Sequence, residues 1–332
     1  MTAPIETTPG QAGAQPEAVL SGVGRKAIEG RSLGQIAWTR FKRDKVAVAG
    51  GIVVICLVLL AVFSKLIEKI FSLDPNEFHQ DLVDPNTVAP KGGWGGMSWA
   101  HPLGVDPQYG RDLLARIIEG SWVSMLVATG ATLLSVIIGV IAGVVAGYYG
   151  GWVDSVISRA MDTFLAFPLL LFAISISASL QDGAFGLTGL PLRISVLIFV
   201  IGFFNWPYMG RIIRGQTLSL REREFVEAAR SLGARGPFIL FRELLPNLVA
   251  PILVYSTLLI PTNILFEAAL SFLGVGIAPP QASWGGMLNS AIDLFYADPQ
   301  YMVVPGLAIF ITVLAFNLLG DGLRDALDPR GK

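Results

Sequence analysis

Six stretches of this chain carry no charged side chain, and each is about as long as a membrane-spanning helix. They are Val46–Ser64, Gly120–Val153, Thr163–Gln181, Ile194–Gly210, Leu244–Phe266 and Pro299–Gly320, with lengths of 19, 34, 19, 17, 23 and 22 residues. A helix needs about 20 residues to cross the hydrocarbon core of a bilayer. Charged residues make up only 15% of the chain, against about 25% in ordinary globular domains. The sequence therefore predicts an all-α, polytopic membrane protein with six transmembrane helices.

Basic residues are unevenly divided between the two sides of this predicted membrane protein. With the N terminus placed inside, the cytoplasmic segments contain 18 Lys and Arg and the opposite side contains 6. Cytoplasmic loops of membrane proteins carry an excess of Lys and Arg. An even number of spans returns the chain to its starting side, so both termini are predicted to be cytoplasmic.

The predicted spans also divide the chain into segments. Residues 1–24 are rich in Ala, Gly, Pro, Thr and Gln, which predicts a disordered cytoplasmic tail. Residues 25–45 form a basic amphipathic segment, which either lies as a helix in the cytoplasmic interface or simply anchors the first span. Residues 46–332 are predicted to form one six-span domain. Its longest connections are two outside segments and one cytoplasmic loop, at 65–119, 267–298 and 211–243.

The sequence offers little that could carry catalysis. His79 and His101 both lie in the first outside segment, and neither has the spacing of a metal-binding helix, so no metal site is predicted. No Gly-x-x-x-x-Gly-Lys-Ser/Thr loop occurs, so the chain has no recognisable ATP site. A net charge of -1 gives no field that would attract nucleic acid. We therefore expect a protein that is not an enzyme and has no catalytic residue and no cofactor of its own.

Three glycines repeat every four residues in the longest uncharged stretch, at Gly139, Gly143 and Gly147. Small residues at this spacing let two helix backbones approach closely within a membrane. We predict that these glycines serve helix packing rather than ligand binding.

Three asparagines, Asn205, Asn263 and Asn317, lie within the predicted spans. Polar side chains inside a membrane are candidates for function. They are weak candidates for lining a translocation pathway, and for any single one of them a hydrogen bond between helices is the favoured interpretation.

The cytoplasmic loop has the pattern of a helical hairpin. Phe225, Ala228, Ala229 and Leu232 share one face of a first helix. Gly233 is then suited to a helix C-cap, and Pro237 to the first turn of a second helix. The alanines leave this turn slim enough to enter a groove on a partner, whereas an ordinary amphipathic hairpin on the membrane surface is the alternative.

The same loop resembles the EAA loop of ABC importer permeases, which docks on the ATPase subunit. The likeness consists of Glu227-Ala228-Ala229, Gly233 after three more residues, and Pro246 twelve residues later. It departs from the pattern at Glu243, where an aliphatic residue is common. The resemblance implies a coupling turn formed by Glu227, Ala228, Ala229 and Gly233. It also implies Arg230 and Arg235 as candidate salt-bridge donors to the ATPase.

Two outside segments resemble the C-type permease subunit of dipeptide and oligopeptide importers. The first is His101-Pro102-Leu103-Gly104-Val105-Asp106 followed by Gly110-Arg111-Asp112-Leu113-Leu114. The second is Leu270-Ser271-Phe272-Leu273-Gly274 with Pro279, Pro280 and Ser283-Trp284-Gly285-Gly286-Met287. Val105 replaces the threonine that is more frequent in the family. The signature positions are His101, Gly104, Asp106, Gly110, Arg111, Asp112, Ser271, Gly274 and Trp284.

This resemblance covers about residues 31–330 and implies a type I ABC importer permease fold in a bacterial plasma (inner) membrane. It further implies a second, B-type permease subunit, two cytoplasmic ATPase subunits that carry ATP and Mg, and an extracytoplasmic substrate-binding protein. The implied substrate is a dipeptide or oligopeptide, with nickel chelates and glycosides as alternatives. An autonomous secondary carrier is the rival class. Glu267 lies near the outer end of the fifth span, but nothing in the sequence resembles the buried coupling carboxylates or paired interrupted helices expected of a symporter.

Overall fold

A computed structural model describes residues 33–180, 183–184, 186–296 and 298–328. Its regular elements there are helices: α1 (Leu33–Arg43), α2 (Lys45–Val62), α3 (Ser64–Ile70), α4 (Leu113–Tyr149), α5 (Gly151–Ala166), α6 (Leu169–Ser179), α7 (Gly189–Arg221), α8 (Glu224–Ser231), α9 (Gly236–Phe238), α10 (Leu245–Phe272), α11 (Trp284–Ala291) and α12 (Gln300–Leu327). A π-helical turn, Ile239–Leu244, joins α9 to α10. The predicted tail, residues 1–24, lies outside the described residues.

The predicted helical membrane fold is confirmed, with one correction. Among the described residues, five helical segments are long and apolar enough to span a membrane: α2, α4, α7, the run from α9 through α10, and α12. The third predicted span is not one straight helix, because α5 and α6 meet at an angle of 77°. Pro168 lacks a backbone N–H and forces Phe167 into an extended conformation, with φ -77° and ψ 133°, so α5 ends there. The sidedness of the termini stays a prediction.

The 34-residue uncharged stretch contains most of one long helix and the turn that follows it. Helix α4 has 37 residues, which makes it roughly 55 Å long at 1.5 Å per residue. This exceeds the roughly 30 Å hydrocarbon core, so α4 must either tilt or project beyond the bilayer. It begins at Asp112, whose carboxylate accepts a hydrogen bond from Ala115 N at 2.9 Å, and it ends where Gly150 adopts φ +66°.

Helix α4 lies at the centre of the packing. Its most extensive contact is with α7, and α10 packs on α4 and on α12, which in turn packs on α2. Buried side chains such as Val54, Ile264 and Phe316 fill the space between α2, α10 and α12. These contacts place one end of α4 and α7 beside the cytoplasmic hairpin and the other end beneath the outside segments.

The described part of the basic segment 25–45 is helical. Helix α1 packs against α2 and α12, and Arg40 Nη1 donates a hydrogen bond to the Asp328 carbonyl at 2.8 Å. Helix α1 ends at Arg43, and the next residue, Asp44, caps α2 by accepting a hydrogen bond from Val46 N at 2.9 Å. The segment is therefore a folded part of the helical assembly where the structure describes it.

Candidate functional site

The loop predicted to be cytoplasmic folds as a hairpin with a tight turn. Gly233 has φ +81°, the left-handed conformation that favours glycine. Its N–H donates to Arg230 O at 2.9 Å, and Ala234 N donates to Ala229 O at 3.0 Å. This pair of hydrogen bonds is a Schellman motif, which closes α8 and reverses the chain toward α9.

One valine anchors the hairpin to the rest of the chain. Val226 is completely buried and belongs to a cluster with Met209 and Ile213 of α7 and Leu244 of the π-helical turn. Val226 was not among the residues predicted for the apolar face of α8, which was assigned to neighbouring positions. The available signal was the spacing: Val226 lies three residues before Ala229, so the two can share a helix face. In the structure, Ala229 is the one member of the predicted face that packs on the same cluster.

The other members of the predicted face point away from the protein. Phe225 and Leu232 are 36% and 88% exposed, and Ala228 is exposed between them. Positions 225, 228 and 232 lie along one side of a helix. We call these three residues the exposed stripe. An apolar stripe that its own chain leaves uncovered is typical of a protein–protein contact.

Charged and aromatic side chains tie the hairpin to the ends of the long helices. The Arg230 guanidinium lies 5.5 Å from the centre of the Tyr148 ring, near the end of α4. Beside the hairpin, Arg221 Nη1 at the end of α7 donates to Gly147 O of α4 at 3.0 Å, which joins the two long helices. Glu227 and Arg235 are exposed beside the exposed stripe. A displacement of the hairpin would therefore act directly on α4 and α7.

The three glycines of α4 lie directly against the backbone of α7. A Cβ atom at Gly143 would be 2.6 Å from Gly210 O, and one at Gly139 would be 2.7 Å from Trp206 O. At Gly147 it would be 2.6 Å from Thr217 Cβ. No side chain fits at these three positions unless the two helices move apart.

Two of the three candidate pathway asparagines are brought together inside the helical bundle. Asn205 Nδ2 donates to Asn263 Oδ1 at 2.8 Å, and Asn263 Nδ2 donates to Thr132 Oγ1, also at 2.8 Å. Asn205 and Asn263 are 3% and 0% exposed, so neither faces an opening on the surface of this chain. Their hydrogen bonds join α4, α7 and α10. Asn317 lies apart from them and is exposed on α12.

The signature residues before α4 build a compact outer cap. His101 Nδ1 is 2.6 Å from Asp112 Oδ2. Arg111 Nη2 is 2.6 Å from Asp106 Oδ2 in a buried ion pair. Burial raises the pKa of Asp106 above its ordinary value, while the Arg111 cation opposes that shift. A Cβ at Gly104 or Gly110 would collide with a neighbouring backbone carbonyl, which explains glycine at both positions.

The second signature segment closes this cap from the other side. Ser271 Oγ donates to Glu267 Oε1 at 2.8 Å, and Gly274 ends α10 with φ +79°. Trp284 is 1% exposed and donates from Nε1 to Ile117 O of α4 at 3.1 Å. The two outside segments therefore meet on the first turns of α4. Arg116, which donates from Nη1 to Pro280 O at 3.4 Å, belongs to this junction and was missed by the sequence analysis.

No three His, Cys, Asp or Glu side chains in the described part of the chain lie close enough together to hold a metal ion. The features that stand out are instead the hairpin with its exposed stripe and the outer cap. Both are built on the α4–α7 pair, at opposite ends.

Comparison with family models gives two matches. Residues 139–332 match the model described as "Binding-protein-dependent transport system inner membrane component". Residues 32–85 match the "N-terminal TM domain of oligopeptide transport permease C". The first model includes the hairpin and the helices from α5 to α12, and the second includes α1 to α3.

Known proteins and structures agree with these matches. The chain is 40% identical over 295 residues to the glutathione transport system permease protein GsiD of Escherichia coli O157:H7, covering 89% of this chain and 90% of the relative. The protein of the same name from Shigella flexneri serotype 5b is 42% identical over the same length and the same shares. In fold, the chain resembles an inward-facing structure of the MetNI methionine ABC transporter, with a TM-score of 0.53 and 17% identity over 65% of this chain and 98% of that one.

Proposed function

This chain belongs to the binding-protein-dependent transport system inner membrane components, and we propose that it forms half of the translocation pathway of an ATP-driven peptide importer. The observation that carries the proposal is the exposed stripe on a cytoplasmic hairpin anchored to α4 and α7 by Val226. Such a stripe marks a contact with another protein or with the membrane surface, and we propose a cytoplasmic protein. An ATPase subunit of the importer is the partner proposed here.

The substrate proposed is a small peptide. One matching model is named for oligopeptide transport, and the relatives are named for glutathione, which is itself a tripeptide. These names agree with the sequence resemblance to dipeptide and oligopeptide importers. Selection among peptides is proposed to rest largely on an extracytoplasmic binding protein.

The proposed complex contains this chain, a B-type permease subunit, two ATPase subunits and the binding protein. ATP and Mg²⁺ are held by the ATPase subunits, and this chain catalyses no covalent step. The proposed coupling residues are Glu227, Ala228, Ala229, Arg230, Gly233 and Arg235. Of these, Glu227 and Arg235 are exposed for ion pairs, whereas the stacking of Arg230 on Tyr148 supports a role in linking the hairpin to α4.

The proposed mechanism is a two-state movement of helices. Closure of the ATPase dimer displaces each docked hairpin, and the Val226 cluster transmits that displacement to α7. The hydrogen bonds of Asn263 to Asn205 and Thr132 hold α4, α7 and α10 together, so these helices move as one block. The bundle then alternates between inward and outward openings. Asn317, which is exposed on α12, remains our candidate for a pathway contact.

Reconstitution into liposomes tests this proposal. Vesicles that contain the full complex are expected to accumulate labelled glutathione or Ala-Ala only when ATP and the binding protein are both supplied. Vesicles that contain this chain alone are expected to accumulate neither peptide. Uptake by the chain alone would contradict the proposal and favour an autonomous carrier.

Sidedness can be tested with single cysteines. We replace Leu232 in the hairpin and, in a separate variant, Trp99 in the first outside segment, both of which are highly exposed. Cys56, the sole native cysteine, is replaced by Ser in both. In cells that make this chain without the ATPase subunits, which would cover Leu232, an impermeant maleimide is expected to label Trp99→Cys while the cells are intact, and to label Leu232→Cys only after the membrane is opened. Labelling of both from outside would show that the six-span topology with cytoplasmic termini is wrong.

A further inference from the structure

A groove of about 580 Å³ crosses the outer cap, between the two outside segments. Phe78, Tyr109 and Arg111 of the first segment line one side, and Pro280 and Asp293 of the second line the other. The signature residues account for the cap beneath the groove, but the proposed coupling mechanism uses no side chain that lines it. Its walls come from segments far apart in sequence, so the groove forms only when the folded chain brings the two outside segments together.

Two aromatic rings stand at the edge of the groove, open to solvent. Phe78 and Tyr109 are 59% and 43% exposed, and their ring centres are 5.6 Å apart. Exposed aromatic side chains grouped in this way are typical of the energetically dominant residues of protein–protein contacts.

The chain holds Tyr109 rigidly in place. It lies on a tight turn closed by hydrogen bonds from Asp106 N to Arg111 O at 2.8 Å and from Gly110 N to Asp106 O at 3.0 Å. Gln108 at its tip adopts φ +79°, a conformation uncommon for residues other than glycine. The Arg111 guanidinium packs 4.8 Å from the centre of the Tyr109 ring. A pre-organised side chain loses little entropy on binding, which suits a contact site.

The electrostatics around the groove favour a basic partner. Residues 65–119 contain eight Asp and Glu and five Lys and Arg, but four of the acids are buried: Glu68, Asp106, Asp112 and Glu119. Two of those cations, Arg111 and Arg116, are buried, and Arg111 is paired with Asp106. Asp293, in contrast, is exposed where it lines the groove, and Glu77 is exposed beside Phe78. Arg and Lys side chains stack on aromatic rings and pair with carboxylates, so this surface complements a basic segment.

Resting on the proposed function, we propose that this groove is where the extracytoplasmic binding protein docks, inserting a basic segment whose Arg or Lys side chain stacks on Phe78 and Tyr109 and faces Asp293. The groove spans both outside segments, which meet on the first turns of α4. Docking there contacts the same helix whose other end carries the coupling hairpin. The site thus gives the loaded binding protein a direct mechanical connection to the ATPase side.

The experiment measures binding of the purified cognate binding protein to the full complex in lipid nanodiscs by biolayer interferometry. Tyr109→Ala is expected to raise the dissociation constant by about tenfold or more, as for a central interface aromatic. Asp293→Lys is expected to slow association, most strongly at low salt, because exposed charges are screened beyond roughly 10 Å at 0.1 M salt. Two matched controls outside the groove lining, Trp99→Ala and Asp81→Asn, are expected to bind like the wild type.

Basal ATP hydrolysis without the binding protein, measured alongside, is expected to be unchanged in every variant. Wild-type affinity in both Tyr109→Ala and Asp293→Lys would overturn the docking site while leaving the proposed function intact. Failure of these variants to pair with the second permease chain would also overturn it, because the groove would then be covered by that subunit. A wild-type complex that binds no binding protein at all would overturn both proposals.

Discussion

Replacing Ala228 by Trp is expected to abolish the stimulation of ATP hydrolysis by peptide-loaded binding protein, and with it peptide uptake. Ala228 is exposed at the middle of the exposed stripe, between Phe225 and Leu232. An indole ring there would prevent a groove on the ATPase from closing around the hairpin, because overpacking an interface shaped for a methyl group is costly. ATPase activity of the full complex in nanodiscs is the measurement.

The neighbouring Ala229 is a poorer site for this test. It packs on the cluster around Val226, so a large side chain there would also disturb this chain itself. Thr39→Trp, at an exposed position on α1, is the matched control and should leave coupling intact. Gly233→Val gives a second route to the same loss, because φ +81° is strained for a β-branched residue although the space around it is open. Normal stimulation in assembled Ala228→Trp complexes would remove the hairpin from the coupling mechanism.

Gly143→Leu is expected to prevent formation of a stable α4–α7 pair. Even Gly143→Ala places a Cβ 2.6 Å from Gly210 O and 2.9 Å from Arg214 N, both of which are backbone atoms. Backbone cannot yield as a flexible side chain does, so the alanine variant should lose about 1–3 kcal/mol and the leucine variant more. The yield of complex and its unfolding midpoint in mild detergent report the loss.

Gly215→Leu on α7 is the matched control, because nothing lies within 4 Å of a Cβ built there. It makes the same chemical change on the same pair of helices without an overlap. We expect its midpoint to match the wild type. Equal midpoints for Gly143→Leu and Gly215→Leu would mean that the close approach of α4 and α7 does not determine stability.

The sequence predicted the helices well because a bilayer demands long apolar runs, and such runs are visible without any knowledge of contacts. It also predicted the left-handed turn at Gly233, because glycine followed by proline is a local signal. The bend between α5 and α6 was not predicted, although Pro168 lies inside the third uncharged stretch, because the absence of charge marks an apolar run but not a break within it.

The residues of the candidate site were predicted, but the directions in which their side chains point were not. Hydrophobicity marks Phe225, Val226 and Leu232 alike, and only packing decides which side chain of α8 turns inward. In the same way, the pairing of Asn205 with Asn263 joins residues 58 positions apart. Periodicity within one helix carries no information about such a partner. In the folded chain, two of the candidate pathway residues form a hydrogen bond between α7 and α10.

The bend at Pro168 has a consequence for how the chain is made. Helix α6 has 11 residues, about 16 Å of helix, or roughly half the hydrocarbon thickness. A segment so short lacks the length of an independent stop for the insertion machinery. Its ring contacts, Phe172 with Phe204 of α7 at 4.8 Å and with Phe167 at 5.7 Å, supply the missing support from neighbouring segments. We therefore expect α5 and α6 to enter the lipid only once α7 has emerged from the ribosome, so that this part of the chain is integrated as a three-helix unit.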